Sequence, residues 1–131
     1  MHLFSATATR IHEKQTLDAT FAATGSANAS NDLTTTRAFA TYYYKRKIGA
    51  TLGYFQTTGS SDAVLYAANT NTAPDTNGWI AEVNYVPWLN TKFSIQYTAY
   101  NKYNGSSDNY DGTGRKASDN NTLYILAWLS Y

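Results

Sequence analysis

Five charged residues stand at polar positions of alternating segments, and their side chains offer the clearest chemistry in the chain. They are Asp18, Arg37, Glu82, Lys92 and Lys102. Around a hydrated passage, opposed charges set up a transverse field and a ring of one sign selects ions. Three cations against two anions predict a weak anion preference or none. The alternative is that these charges pair with one another or with loops and select nothing.

Catalytic and metal chemistry is poorly provided for. The chain has no Cys and only 2 His, His2 and His12, so a thiolate metal site, covalent haem attachment and a catalytic zinc site are not expected. Neither His is placed to act as the base of a nucleophile, so we predict a protein that is not an enzyme. Residues 108–121 are rich in Asp and Asn, but Tyr110 occupies a ligand position of the EF-hand spacing. No metal and no cofactor is predicted.

The basic residues are too few for a nucleic-acid-binding protein. The chain has 10 Lys and Arg against 9 Asp and Glu, a net charge of +1, whereas nucleic-acid binders carry a basic excess. The one dense basic run is Lys45-Arg46-Lys47, in a short connection. We expect a solvated turn there, with contact to a partner or a lipid headgroup as the alternative.

Period-2 alternation of apolar and polar residues runs through most of the chain, and helical periodicity is nearly absent. Such alternation predicts an all-β protein. The segment from Lys92 to Lys102 alternates most regularly. Seven strands are predicted, over residues 3–11, 16–24, 35–45, 48–58, 79–86, 92–102 and 122–131.

The connections between the predicted strands alternate in length. The short turns are 12–15, 46–47 and 87–91, and the long loops are 25–34, 59–78 and 103–121. In an antiparallel up-and-down sheet, all short turns then lie at one rim and all long loops at the other. Transmembrane β-barrels have this asymmetry, with short periplasmic turns and longer extracellular loops.

Three features indicate that the apolar face meets lipid. The polar face consists mainly of Thr, Ser, Gln and Asn with few charges, whereas a soluble exterior carries about 25–35% charged residues. The predicted strands have about the length that crosses a bilayer at a tilt. Aromatic residues stand near the ends of the apolar face, where rings favour the headgroup zone. The predicted interface aromatics are Tyr42, Tyr44, Trp79, Tyr85, Trp88, Phe93 and Tyr131, and the predicted pore lining is the five charged residues with Tyr43, Gln96 and Tyr100.

A soluble β-barrel that binds a small apolar ligand is the alternative from another class. It would have the same alternation, but with the apolar face turned inward. In that case a set of apolar residues would meet in a closed interior: Leu17, Phe21, Leu52, Ile95 and Ile125.

The final segment resembles the closing strand of Gram-negative outer-membrane proteins. Tyr131 is preceded on the same face by Leu129, Ala127, Ile125 and Leu123. The resemblance is to porin-like barrels as an architecture. It implies an antiparallel up-and-down transmembrane β-barrel in the outer membrane, recognised by the barrel-assembly machinery through this strand. The implied function is passive diffusion of small hydrophilic solutes.

Seven strands cannot close a barrel by themselves if the last one ends at the periplasmic rim. Single-chain bacterial barrels close with an even number of strands. We therefore expect the C-terminal portion of a larger barrel, without its upstream strands and its signal peptide. A barrel assembled from several chains, or a missed strand, is the alternative, so the oligomeric state stays open.

A second resemblance concerns residues 78–85 and 118–124. These stretches, Gly-Trp-Ile-Ala-Glu-Val-Asn-Tyr and Ser-Asp-Asn-Asn-Thr-Leu-Tyr, are similar to proteobacterial barrel proteins catalogued beside c-type cytochromes. The resemblance implies an alternative function, a sheath around a c-type cytochrome. That partner would supply all the haems, because this chain cannot attach one.

Overall fold

One antiparallel sheet of six strands makes up the fold. The structure, a computed structural model, describes residues 1–18, 20 and 28–130. The strands follow chain order in the sheet, which confirms the predicted all-β, up-and-down arrangement. They are β1 (His2–Thr16), β2 (Ser30–Tyr44), β3 (Ile48–Gly59), β4 (Thr76–Tyr85), β5 (Thr91–Lys102) and β6 (Thr122–Leu129), with a 3-10 turn at Ala117–Asn120.

The first part of the chain differs from the prediction. β1 runs without a break through the predicted turn at 12–15 and pairs with β2 as far as Thr16 opposite Ser30. The predicted turn is therefore wrong. The alternation of apolar and polar residues ends in this part of β1 because one face carries Arg10, His12 and Lys14. The backbone nevertheless stays extended to Thr16. β2 already begins at Ser30, so the predicted loop at 25–34 is too long.

The predicted strand at 16–24 is not formed where the structure describes it. Residues 17, 18 and 20 belong to no strand. Residues 19 and 21–24 of that prediction lie outside the described residues, as do residues 25–27 of the loop that follows. The described residues thus form six strands where seven were predicted for the chain.

Short and long connections lie at opposite ends of the sheet. Residues 45–47 and 86–90 form the short ones and residues 60–75 and 103–121 form two long ones, and the end of β1 and the start of β2 lie at the same end as the long ones. The predicted loop at 103–121 coincides with the observed connection. The predicted turns at 46–47 and 87–91 and the predicted loop at 59–78 fall on the others, with ends that differ by at most three residues. The asymmetry between the two rims is therefore a property of the fold.

The sheet is open rather than closed into a barrel. β1 and β6 are its edges, and within the described residues they do not pair with each other. With six strands, β1 and β6 run in opposite directions. The predicted obstacle to closure, an odd number of strands, was a consequence of the wrong strand count.

The apolar face of the sheet is the exposed face. Leu52 and Ile95 are each 55% exposed and Ile125 is 79% exposed. On the opposite, polar face, Ser94 and Thr98 are buried. Leu52, Ile95 and Ile125, three of the five residues expected to meet inside a soluble barrel, are therefore not enclosed. Of the remaining two, Leu17 lies beyond the end of β1, and Phe21 lies outside the described residues.

Buried apolar residues occur at the long-loop end instead. Among the described residues these are Ala73, Tyr110 and Ala117, all of them in the long connections. The strands therefore contribute no apolar core of the kind that stabilises a water-soluble sheet.

Aromatic rings on the polar face lie over glycines of the neighbouring strand. A Cβ atom on Gly53 would stand 2.3 Å from Cδ1 of Phe39, so the ring fills the space of the missing side chain. Such pairs shield the glycine backbone and allow a sheet to curve. The directly opposed pairs are Tyr43 with Gly49, Phe39 with Gly53, and Phe55 with Gly78.

Candidate functional site: the concave polar face

A cavity of about 500 Å³ opens on the polar face. Arg37 of β2 and Tyr124 of β6 both line it, although their strands would be roughly 19 Å apart in a flat sheet. The sheet therefore curls around this face, which is concave. The cavity is lined by Arg37, Phe55, Ile80, Glu82, Ser94, Gln96, Thr98, Tyr100, Tyr124, Ile125 and Leu126.

The structure brings several predicted lining residues together. Arg37, Glu82, Gln96 and Tyr100 line this one cavity. Lys92 joins them through a contact of 3.1 Å from its Nζ to Oε1 of Glu82. Residues on three different strands, β2, β4 and β5, thus meet because alternate side chains of each strand point to the same face.

Other predicted lining residues lie at or beyond the ends of this face. Tyr43 lies over Gly49, near the short turn at 45–47. Lys102 stands at the long-loop end, where its Nζ is 3.6 Å from Oδ2 of Asp75. Asp18 lies beyond the end of β1, so it is not on the face of the sheet.

The charges on the concave face leave one cation without a carboxylate. Lys92 and Glu82 form an ion pair, and Nδ2 of Asn84 also donates to Glu82, at 3.3 Å. Asn84 is buried, and its Oδ1 has no hydrogen-bond partner in the described residues. Arg37 forms no ion pair within the part of the chain that the structure describes. Arg37, Lys92 and Glu82 together therefore give the concave face beside the cavity a local excess of one positive charge.

A series of aromatic contacts connects the concave face with the long-loop rim. Phe55 contacts Tyr100 at 5.6 Å between ring centroids, Tyr100 contacts Tyr103 at 5.2 Å, and Tyr103 contacts Tyr110 at 5.0 Å. All three contacts are of the edge-to-face type, a favourable geometry for ring pairs. They fix the 103–121 loop over the sheet. No sequence pattern predicts this arrangement, because abundant Tyr does not indicate which rings meet.

Asp62 is a buried carboxylate that holds two long connections together. Its Oδ1 accepts the backbone N–H groups of Val64 and Leu65 at 2.9 and 2.8 Å. Its Oδ2 accepts the backbone N–H of Asn28 at 2.8 Å and Nδ2 of Asn31 at 3.1 Å. These donors, the Leu65 N–H first, lower the pKa of Asp62 to about 2. Sequence reasoning did not identify this residue.

Further hydrogen bonds join the 60–75 loop to the 103–121 loop. Nδ2 of Asn71 donates to the carbonyl of Gly105 at 2.9 Å, and Nδ2 of Asn104 donates to Oδ1 of Asn69 at 3.0 Å. The backbone N–H of Gly105 donates to the carbonyl of Asp75 at 2.7 Å. The long loops thus form a connected polar rim above the cavity.

Aromatic residues on the convex face form two rows across the strands. Beside the short turns, Tyr44 pairs with Ile48, Ile48 with Tyr85, and Tyr85 with Phe93. Toward the long loops, Tyr54 contacts Trp79 at 5.0 Å. Of the other predicted interface aromatics, Tyr42 lies one outward-facing position along β2 from Tyr44, Trp88 lies in the 86–90 turn, and Tyr131 lies outside the described residues.

No metal site or membrane-spanning helix was found in the described chain. In residues 1–18, 20 and 28–130, no group of three His, Cys, Asp or Glu side chains could hold a metal ion. Over the same residues, no helix has the length and apolar character needed to cross a membrane. Comparisons with protein-family models, curated proteins and solved structures found no match.

Proposed function

We propose that this sheet is part of the wall of an outer-membrane β-barrel through which small hydrophilic solutes diffuse. The observation that carries the proposal is the inverted amphipathicity of the sheet. Leu52, Ile95 and Ile125 face outward and are exposed, while Ser94 and Thr98 of the concave face are buried. A large apolar surface is unfavourable in water. Hydrocarbon removes that cost, and a hydrated lumen satisfies the polar side chains.

The aromatic rows and the unequal rims support the same arrangement. Rings such as Tyr85 and Trp79 stand at opposite ends of the convex apolar band, as interfacial girdles do in membrane barrels. The short connections all lie at one end and the long ones at the other. In such barrels the short-turn end is periplasmic.

Further strands complete the wall in this proposal. The edges β1 and β6 carry unpaired backbone groups, which hydrocarbon does not tolerate. Because β1 and β6 run in opposite directions, an even number of added antiparallel strands closes the barrel. A second copy of this six-stranded sheet supplies such a number, so refolded chains can close a barrel by association. The barrel-assembly machinery would insert it in the outer membrane of a Gram-negative bacterium, reading the β6 segment.

The passage would be lined by hydroxyl and amide side chains interspersed with apolar ones such as Phe55 and Ile80, with Arg37 as the uncompensated charge. Ser94, Gln96 and Thr98 line the cavity beside it. These groups hydrogen-bond with water and with polar solutes without binding one ion tightly. Transport would therefore be passive and weakly selective for anions.

A pair of neighbouring substitutions on β5 tests the assignment of the two faces. Ile95 points to the convex face and Gln96 lines the cavity. The full chain is refolded from urea into lipid vesicles, and insertion is measured by heat-modifiable gel migration and protease protection. We expect Ile95→Arg to insert poorly, since Arg on a lipid-facing position costs about 2–4 kcal/mol, and Gln96→Arg to insert like the unsubstituted chain. The opposite order would contradict lipid contact of the convex face.

Conductance tests the passage itself. The inserted protein is added to a planar lipid bilayer, and stepwise, ohmic conductance is expected. A protein that inserts fully but gives no conductance would contradict the transport role. Co-purification of haem absorbance with such a protein would support the alternative of a cytochrome sheath.

A further inference from the structure

The two short turns form one continuous surface at their end of the sheet. The backbone N–H of Val86 donates to the carbonyl of Lys47 at 2.7 Å, which joins the 86–90 turn to the 45–47 turn. The 45–47 turn consists of three exposed cations, Lys45, Arg46 and Lys47. In the 86–90 turn, Trp88 is 64% and Leu89 is 85% exposed. We call these five residues the basic–apolar rim.

The backbone of the basic turn is unusual for its side chains. Lys45 and Arg46 have φ angles of 51° and 58°, and the N–H of Lys47 donates to the carbonyl of Tyr44 at 3.0 Å. Two successive left-handed residues are typical of the type I′ hairpin turn, which strongly prefers Asn-Gly. The left-handed conformation is unfavourable for long side chains. Cations therefore stand where the fold alone would favour Asn and Gly.

Charge is divided between the two ends of the sheet. No carboxylate lies in the 45–47 or 86–90 turn. Glu82 lies on the concave face, and the other carboxylates lie in the long connections or in the strand ends next to them: Glu13, Asp18, Asp32, Asp62, Asp75, Asp108, Asp111 and Asp119. The short-turn end is thus positive and its cations have no acidic neighbour in the turns.

We propose that the basic–apolar rim binds the headgroups of anionic phospholipids in the leaflet at the short-turn end. The inference rests on the proposed membrane insertion. Lys45, Arg46 and Lys47 would contact phosphate groups, since basic side chains next to a membrane attract anionic lipids. Trp88 and Leu89 would enter the boundary between headgroups and acyl chains, where an amphipathic ring and an aliphatic chain are favoured. Charge and apolar character on one surface favour a lipid over a soluble acidic partner.

Quenching of Trp88 by brominated lipid tests the proposal. The chain has 3 Trp, and Trp79→Phe with Trp128→Phe leaves Trp88 as the only indole. This protein is refolded into vesicles of phosphatidylcholine and phosphatidylglycerol in which one or the other lipid is dibrominated. We expect the quenching to show that phosphatidylglycerol is preferred over phosphatidylcholine beside Trp88 by about fivefold. This is the size expected for one cation at an anionic surface. The preference should disappear near 0.5 M salt, because ions screen it.

Two triple variants separate a local site from general charge. Lys45→Gln, Arg46→Gln and Lys47→Gln together should abolish the preference. Lys14→Gln, Arg115→Gln and Lys116→Gln remove the same charge from the long-loop end and should leave it unchanged. A protein that inserts but shows no preference for phosphatidylglycerol would overturn the rim site, and so would a preference that survives the Lys45, Arg46 and Lys47 substitutions. Neither result would contradict membrane insertion. Absence of quenching by either lipid would instead contradict membrane insertion.

Discussion

Two of the three cations predicted to line the passage are neutralised by nearby carboxylates. Lys92 pairs with Glu82 at 3.1 Å, and Lys102 pairs with Asp75 at 3.6 Å. Arg37, which lines the same cavity as Glu82, has no such partner in the described chain. The position of each charge, rather than the total of three cations and two anions, therefore determines the selectivity that we expect.

We predict that Arg37 sets the anion preference of the passage. Arg37→Gln should bring the permeability ratio of chloride to potassium close to one, and Arg37→Glu should reverse it, because a fixed charge in a pore attracts ions of opposite sign. The measurement is the reversal potential of the reconstituted protein in a potassium chloride gradient. Lys14→Gln, an equal change of charge at an exposed position of β1, should leave the ratio unchanged. Unaltered selectivity in Arg37→Glu would contradict this role.

Asp62 predicts a dependence of loop order on pH. Its pKa in the folded chain is about 2, below the ordinary value of 3.8. A lowered carboxylate pKa stabilises the fold above the ordinary value, and that contribution is lost as the pH falls through the folded value. Hydrogen exchange of the Val64 and Leu65 amides, corrected for intrinsic rates, should stay protected from pH 7 to pH 5. Protection should then fall about tenfold as the pH approaches 2, since hydrogen bonds to a charged acceptor are lost.

Substitution of the carboxylate provides the control for this pH effect. Asp62→Asn should reduce the protection of Val64 and Leu65 at neutral pH and remove its pH dependence. Asp111 is also a carboxylate with a lowered pKa, held mainly by the Thr113 N–H, but it lies in a different loop. Asp111→Asn should leave both amides unchanged. Protection that persists in Asp62→Asn would show that other contacts hold the 60–75 loop.

At the level of strands, the sequence predicted β3 to β6 closely and the first strands poorly. Alternation identifies a strand where one face is apolar along its whole length, as in β5. β1 extends beyond the apolar band, and its outward positions there are Arg10, His12 and Lys14. A strand with two polar faces has no periodic signal, so the sequence pattern predicts a turn where β1 continues.

Loop structure was beyond what local pattern can predict. The contacts of Asp62 join residues more than thirty positions apart in sequence. Tyr110 contacts Tyr103 of its own loop, and Tyr103 in turn contacts Tyr100 of β5. Such contacts depend on which loops the topology brings to one rim. The polar composition of 103–121 correctly predicted a loop but gave no indication that it is packed.

The pairing of Phe39 with Gly53 gives a prediction at the scale of the sheet. Gly53→Ala would place a Cβ 2.3 Å from the Phe39 ring, and we expect a loss of about 1–3 kcal/mol in the free energy of unfolding. Urea unfolding of the lipid-inserted protein, followed by tryptophan fluorescence, measures it. In a Phe39→Ala background the same glycine substitution should cost about 1 kcal/mol less, because contacting residues are coupled. Additive effects would mean that the ring does not occupy the glycine space.

The whole molecule combines an exposed apolar face with a buried polar one. Its few buried apolar side chains, Ala73, Tyr110 and Ala117, secure the long loops and not the strands. The opposite ends differ in charge and in connection length. A sheet of this kind is consistent with an environment that is hydrocarbon outside, water inside, and different at its two rims. The alternation in the sequence predicted two unlike faces, and the curl of the sheet determines which one is concave.

The most direct test of the central claim is a site-directed spin-label scan along β5. The chain has no native Cys, so single cysteines at residues 93–100 can each carry a nitroxide in the vesicle-inserted protein. Collision with oxygen, which concentrates in hydrocarbon, is compared with collision with a water-soluble nickel complex. We predict oxygen maxima at Phe93, Ile95, Tyr97 and Ala99, and nickel maxima at Ser94, Gln96, Thr98 and Tyr100. The reverse phase, or no alternation, would contradict a barrel wall with its apolar face on lipid.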